Sequence, residues 1–187
     1  MAPGLIERLR LPYLLKHYPS RVIWAFFVFV NGFITMAILG GVAVASKTPF
    51  IFPSLGPTAL LLFFNPETRA ASPRSTLCGH AIGIVCAYAL LRLMGLTAEP
   101  PGIQTGVLHA QRVICASLSL VSTGVLMVLL DVWHPPAGAT TLIVSLGIIA
   151  RPYHLLVIEL AVALLVFQAV LINRAAGLDY PLWSLKE

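Results

Sequence analysis

An all-α membrane protein is the fold class this sequence predicts, on three observations. Only 10% of the 187 residues are charged and 58% are hydrophobic, whereas a soluble domain carries about 25% charged residues. Four apolar stretches approach the roughly 20 residues that a helix needs to cross the hydrocarbon core of a bilayer. Two shorter apolar stretches, each broken near its start by proline and glycine, lie between the long ones in matching places.

The elements follow in order along the chain. Residues 1–21 carry Arg8, Arg10, Lys16 and Arg21 and read as a basic cytoplasmic segment, since basic residues collect on the cytoplasmic side of membrane spans. Residues 22–45 form the first span. No convincing small-residue cleavage site follows it, so it reads as a retained helix and not as a signal peptide. Residues 50–64 are the first short piece, and residues 76–96 and 111–130 are the second and third spans. Residues 133–150 are the second short piece, residues 152–172 the fourth span, and residues 174–187 a cytoplasmic tail. Cys78, Cys86 and Cys115 all fall inside apolar helices, where a free thiol acts as a small hydrophobe, and their spacing suggests neither a disulfide framework nor a zinc site. The net charge of +5 sits at the ends of apolar segments, where it marks orientation and is weak evidence for nucleic acid. No cofactor or metal is expected.

The two short pieces are the most informative part of the sequence. Pro53-Ser-Leu-Gly56-Pro-Thr58-Ala-Leu60 and Pro135-Pro-Ala-Gly138-Ala-Thr140-Thr-Leu142 share P-x-x-G-x-T-x-L at a constant offset of 82 positions. The chain thus reads as two repeats, residues 22–96 and 111–173, each a long helix, a broken short element and a second long helix. Paired interrupted segments in corresponding halves point to a transporter's binding site. If each short element crosses fully, the repeats are inverted and the architecture is 3+3, the arrangement favoured here. If each is re-entrant, four full spans and two re-entrant elements remain. Both put eight of the twelve Lys and Arg residues on the cytoplasmic side, so charge does not choose. Arg69 and Arg74 separate the two, being cytoplasmic in the first and external in the second.

Proline locks φ, lacks an N–H and disfavours helix just before itself. The chain is therefore expected to enter extended through Pro53, or through Pro135 and Pro136, with helix beginning near Gly56 and Gly138. What remains is about 9 to 13 residues, or roughly 14–20 Å, which is half a membrane. The first N–H groups of such a half-helix lack intrahelical partners and cannot face lipid. The positive end of the helix dipole then favours an anion, held by these amides and by the hydroxyls of Ser54, Thr58, Thr140 and Thr141. Gly56 and Gly138 let a ligand approach the backbone closely. The expected substrate-binding residues are Ser54, Gly56, Thr58, His134, Gly138, Thr140 and Thr141.

Glu159 and His80 lie within spans, where an unpaired ionisable group is costly and a functional candidate by default. With His134, which opens the second broken element and can titrate near neutral pH, they are candidates for proton coupling or gating. The structural alternatives are a capped turn for His134, an ion pair for Glu159 and interfacial water for His80. Arg92 and Arg112 sit toward helix ends, where snorkelling is the ordinary explanation.

Asp131-Val-Trp-His-Pro-Pro-Ala-Gly138, preceded in the chain by Phe52-Pro-Ser-Leu-Gly-Pro-Thr58, resembles the signature of the HPP family of small integral membrane proteins, over about residues 24–172. The resemblance implies a multi-spanning domain over residues 22–173. Because plastid and cyanobacterial members are described as nitrite transporters, it also implies nitrite as a substrate. The expected function is transport of a small inorganic anion bound at two half-helix N-termini near mid-membrane, and not an enzymatic one. The alternatives are a membrane-embedded enzyme or metal-binding protein using His134, His80 and Glu159, or a non-transporting scaffold. The expected partners are the anion, lipid and a second copy in a homodimer. The expected location is a bacterial plasma membrane with both termini cytoplasmic.

Overall fold

The first long span begins directly after Pro19 and runs without an internal proline to Ser46, where Lys47 turns the chain in a left-handed conformation (φ 54°). In the computed structural model, which describes residues 5–185, two short helices precede it: α1 (Leu5–Leu9) and α2 (Leu11–His17). The span itself is α3 (Ser20–Ser46). After it come α4 (Leu55–Phe64), α5 (Pro73–Leu93), α6 (Gly102–Thr105), α7 (Ala110–Leu129), α8 (Ala137–Ser145) and α9 (Pro152–Ala175). Among the described residues four helices, α3, α5, α7 and α9, are long and apolar enough to cross a membrane. Proline in the first turn of α5 and α9 fixes where each begins, because a missing N–H costs nothing there. The Ser72 hydroxyl also accepts the Ser75 N–H at 3.3 Å to cap α5.

The two short helices start at Leu55 and Ala137, again 82 positions apart, and run for 10 and 9 residues. At 1.5 Å per residue each is about 14–15 Å long. Their entries differ from the extended path expected of the prolines. Ser54 (φ −73°, ψ −15°) and Pro136 (φ −56°, ψ −25°) are already helical. A proline's fixed φ suits the first turn of a helix, so the turn forms before the glycine and not after it.

Contacts between loops sort the helix ends into two groups. At one end, the Leu11 N–H donates to the Ala176 carbonyl at 2.9 Å and the Arg74 N–H to the Trp183 carbonyl at 2.9 Å. The Arg74 side chain reaches the Leu130 and Asp131 carbonyls at 3.1 and 3.0 Å, and Arg69 pairs with Asp131. The start of α5, the end of α7 and the chain leaving α9 therefore lie together. α4 finishes at this end too: the Asn173 amide donates to the Leu62 carbonyl at 3.0 Å, and Phe63 lies edge-on to Phe27 of α3, ring centroids 6.3 Å apart.

At the other end, Gly147, just past α8, lies against the guanidinium of Arg112 in the first turn of α7. Tyr88 of α5, the 97–104 segment and residues 147–154 line a common cavity of about 540 Å³ there. α4 and α8 thus run from the interior to opposite ends. The helix packing has a matching regularity. α3 packs on α4 as α7 does on α8, α4 on α9 as α8 on α5, and α3 on α9 as α7 on α5. Exchanging the two long-short-long units leaves this set of contacts unchanged.

Candidate functional site

The starts of α4 and α8 meet deep in the protein, and α5 supplies the surface on which they meet. Two glycines one helical turn apart on α5 make this possible. A Cβ on Gly79 would come within 2.8 Å of the His134 Cβ, and one on Gly83 within 2.7 Å of the Thr141 Oγ1 and 3.0 Å of the Ala137 carbonyl oxygen. Small residues four apart let helix backbones approach closely in membranes. Here they let α8 and the His-Pro-Pro turn lie directly on α5.

On the same face of α5, His80 is fully buried and uses both ring nitrogens. Its Nε2 is 3.0 Å from the Thr58 Oγ1 and its Nδ1 is 2.7 Å from the Thr140 Oγ1. Thr58 and Thr140 are the equivalent threonines of the repeated motif, so one imidazole joins the two short helices. The Ser54 and Thr140 hydroxyls are 2.6 Å apart, and the Thr58 hydroxyl donates to the Ser54 carbonyl at 2.8 Å. Proton counting fixes the directions. The single hydroxyl proton of Thr58 goes to the Ser54 carbonyl, so the His80 Nε2 carries a proton and donates to Thr58. The Nδ1 then accepts from Thr140, and Thr140 accepts from Ser54. The result is a closed circuit, Ser54 hydroxyl to Thr140 to His80 to Thr58 to the Ser54 carbonyl.

His134 borders the circuit, also fully buried. Its ring is 5.1 Å from that of His80, centroid to centroid. The Nδ1 donates to the Ala70 carbonyl at 2.7 Å, which leaves Nε2 as a lone-pair acceptor 3.4 Å from the Thr58 Oγ1. The Thr76 hydroxyl approaches the same Nδ1 at 3.5 Å. These are the longest contacts of the cluster, so its loosest side is the one that His134 closes. The equivalent position in the first repeat is Phe52, buried and apolar.

Of the residues expected at the site from sequence, Ser54, Thr58, His134 and Thr140 converge here, joined by His80. Thr141 lies one step away. Its hydroxyl donates to the Ala137 carbonyl at 3.1 Å, with the Thr123 Oγ1 at 3.1 Å, and Thr123 donates in turn to the Ser119 carbonyl at 2.8 Å. The two glycines point elsewhere. Gly56 lines an apolar groove between α3 and α4, where an added Cβ would meet nothing within 4 Å. Gly138 faces α7, where an added Cβ would stand 3.2 Å from the Leu120 Cδ1. Residues two apart on a helix lie about 200° round it, so a glycine two before each threonine turns away from any site the threonine faces.

Several of the expected free amides find partners locally. The N–H groups of Ala137, Gly138 and Ala139 donate to the carbonyls of His134, Pro135 and Pro136 at 3.0–3.1 Å, and that of Leu55 donates to the Phe52 carbonyl at 3.1 Å. Short i-to-i+3 bonds of this kind satisfy the first donors of a helix. Hydroxyls and imidazoles are the side-chain polar groups of the cluster.

Glu159 makes no hydrogen bond or ion pair among the described residues, and its Oε2 is buried without a partner. Among the same residues, no group of three or more His, Cys, Asp and Glu side chains is placed to hold a metal ion. Thr76 and the Gly79/Gly83 pair are site features that sequence reasoning missed. The G-x-x-x-G spacing within an apolar span was the available signal.

Four apolar spans and two half-length helices around a buried hydroxyl–imidazole cluster define a polytopic integral membrane protein. The HPP transmembrane region matches residues 16–181, and the chain belongs to the HPP family. It is also 24% identical over 166 residues to a transmembrane protein of Dictyostelium discoideum, covering 86% of this chain and 54% of that protein. The chain thus spans about half the length of that relative. No solved structure matches it.

Proposed function

We propose that this protein carries a small inorganic anion across the membrane, with nitrite the first substrate to test. The observation that carries the reading is the convergence of both repeat threonines on the two nitrogens of His80. Such a cluster stands at the junction of two half-helices that lead to opposite ends of the protein. In inverted-repeat transporters the substrate sits at the interface of the repeats, near the bilayer midplane, at discontinuous helices.

The grouping of helix ends favours six crossings in a 3+3 inverted arrangement over four spans with re-entrant elements. A re-entrant α4 would put Arg74 on the side opposite the tail, yet its N–H is bonded to Trp183. The end that bears Arg10, Lys16, Arg21, Arg69, Arg74 and Arg174 is then cytoplasmic by the distribution of basic residues, and both termini lie there. Ser54, Thr58, Thr140 and His80 bind the anion. His134, held only from the Ala70 side by a short bond, opens or closes the cluster toward that end.

The test is uptake by purified protein in proteoliposomes, measured for nitrite, nitrate, chloride, formate and bicarbonate. Saturable nitrite flux that Thr58→Val and Thr140→Val each reduce at least tenfold supports the reading. No flux of any of these anions, or flux indifferent to both substitutions in folded protein, overturns it.

A further inference from the structure

The hydrogen-bond circuit around His80 uses every proton it has. In the neutral state the Ser54 hydroxyl serves Thr140, Thr140 serves the His80 Nδ1, the His80 Nε2–H serves Thr58, and Thr58 serves the Ser54 carbonyl. No atom of the circuit is left without a partner. An anion arriving here finds the side-chain donors of the circuit spent, and a buried anion without countercharge is costly.

No fixed positive charge is available to it either among the described residues. The titratable group facing His80 is His134, whose Nδ1 proton is committed to Ala70. From α4 and α8 His80 meets only hydroxyls. On α7, Arg112 is engaged with Glu99 at the far end of the helix, and Cys115 is buried in the apolar core. On α9, His154 lines the cavity at that same end, and Glu159, the span's carboxyl group, offers no positive charge. Arg69 of the turn before α5 is paired with Asp131, and Arg74 at the start of α5 serves the Leu130 and Asp131 carbonyls.

We infer that the anion enters this site together with a proton: His80 takes up one proton at Nδ1 for each monovalent anion bound, so that the loaded site is neutral. This rests on the anion-transport reading above. The change is one of proton positions alone. A proton from solvent adds to Nδ1, which turns from acceptor to donor toward the Thr140 Oγ1. The Thr140 hydroxyl proton rotates to the Ser54 Oγ, and the Ser54 hydroxyl proton is freed to donate to the anion. One proton thus supplies both a countercharge and a new donor, which is what one monovalent anion needs. Release of the anion on the far side returns the proton to solvent and restores the closed circuit. No covalent bond forms, and no net charge crosses the membrane.

The test is nitrite binding to the intact protein in lipid nanodiscs, followed in weakly buffered solution with a pH indicator. The expected result is one proton taken up per nitrite bound, with the apparent Kd weakening about tenfold per pH unit above the imidazole's own titration, the slope that linkage of one proton to one ligand requires. Nitrite binding without proton uptake overturns this inference and leaves the transport reading standing, whereas no binding of nitrite, nitrate or chloride overturns both. His80→Gln keeps a donor and an acceptor between the threonines and is expected to abolish the pH slope. A slope lost in Glu159→Gln but kept in His80→Gln would assign the proton to α9 and overturn the inference. The wild-type stoichiometry decides even where a variant fails to fold.

Discussion

Replacing Thr140 by valine keeps the shape of the side chain and removes one hydroxyl, which makes the circuit's energetic weight measurable. That hydroxyl is 2.6 Å from the Ser54 Oγ and 2.7 Å from the His80 Nδ1. Its loss leaves two buried polar atoms on other helices without partners. An interhelical hydrogen bond within a membrane contributes about 0.6 kcal/mol on average and up to about 1.7, so two such bonds come to about 1–3 kcal/mol. The internal control is Thr141→Val one position along. The Thr141 hydroxyl proton goes to the Ala137 carbonyl of its own helix, and the expected cost is below about 1 kcal/mol. Unfolding of the purified proteins in mixed micelles, titrated with denaturing detergent, gives both numbers. A double-mutant cycle of Thr140→Val with Ser54→Ala is expected to show a coupling of at least about 0.5 kcal/mol. Equal costs for the two threonines, or no coupling to Ser54, would refute the circuit as drawn.

Other outcomes follow from the packing around it. Gly83→Ala forces a methyl to within 3.0 Å of backbone on α8 and is expected to destabilise by about 1–3 kcal/mol. Gly41→Ala in α3 meets nothing within 4 Å and is expected to be neutral or stabilising by up to about 1 kcal/mol, since glycine is the poorer helix former; the same unfolding titration measures both. Tyr180 is fully buried with its hydroxyl donating to the Ala71 carbonyl at 2.5 Å, and burial raises its pKa. A raised phenol contributes stability that is present below the ordinary tyrosine value near 10 and lost as pH rises above it. Alkaline titration followed by proteolysis of the tail should therefore release it above about pH 10, and Tyr180→Phe should remove that pH dependence. The Arg69–Asp131 pair is more than half exposed on both sides, and a double-mutant cycle across it is expected to give less than about 1 kcal/mol.

Much of this architecture is written in the sequence, and the reasons differ by element. The spans and half-helices were legible because hydropathy and proline act locally. α9 begins at Pro152 as expected, and α4 ends at Phe64 as expected. Thr58 and Thr140 were legible because a repeated polar residue inside a repeated break stands out, and Ser54 because its hydroxyl sits in the break itself. What local reasoning missed was orientation. Gly56 and Gly138 share the motif with the threonines but lie on the opposite side of their helices, facing α3 and Leu120 of α7. The rule of 100° per residue would have separated them.

His80 was legible only as a buried ionisable group. Its position between two threonines 82 residues apart depends on α5 passing between the halves, and no single repeat encodes that. The docking of Tyr180 on Ala71, which joins the tail to the turn that holds His134, left no sequence signal beyond an aromatic near the C-terminus. Glu159 shows the converse. It stood out in the sequence by its chemistry, and the fold leaves it outside the hydrogen-bonded cluster.

The most direct measurement is a nitrite titration of the protein in nanodiscs with its histidines labelled in the ring nitrogens, read by NMR. The expected result is a saturable change centred on the Nδ1 of His80, because that nitrogen turns from acceptor to donor when the anion binds, and loss of the change in Thr140→Val. Nitrite transport by the same preparation with the His80 resonances unmoved would contradict the assignment of the site.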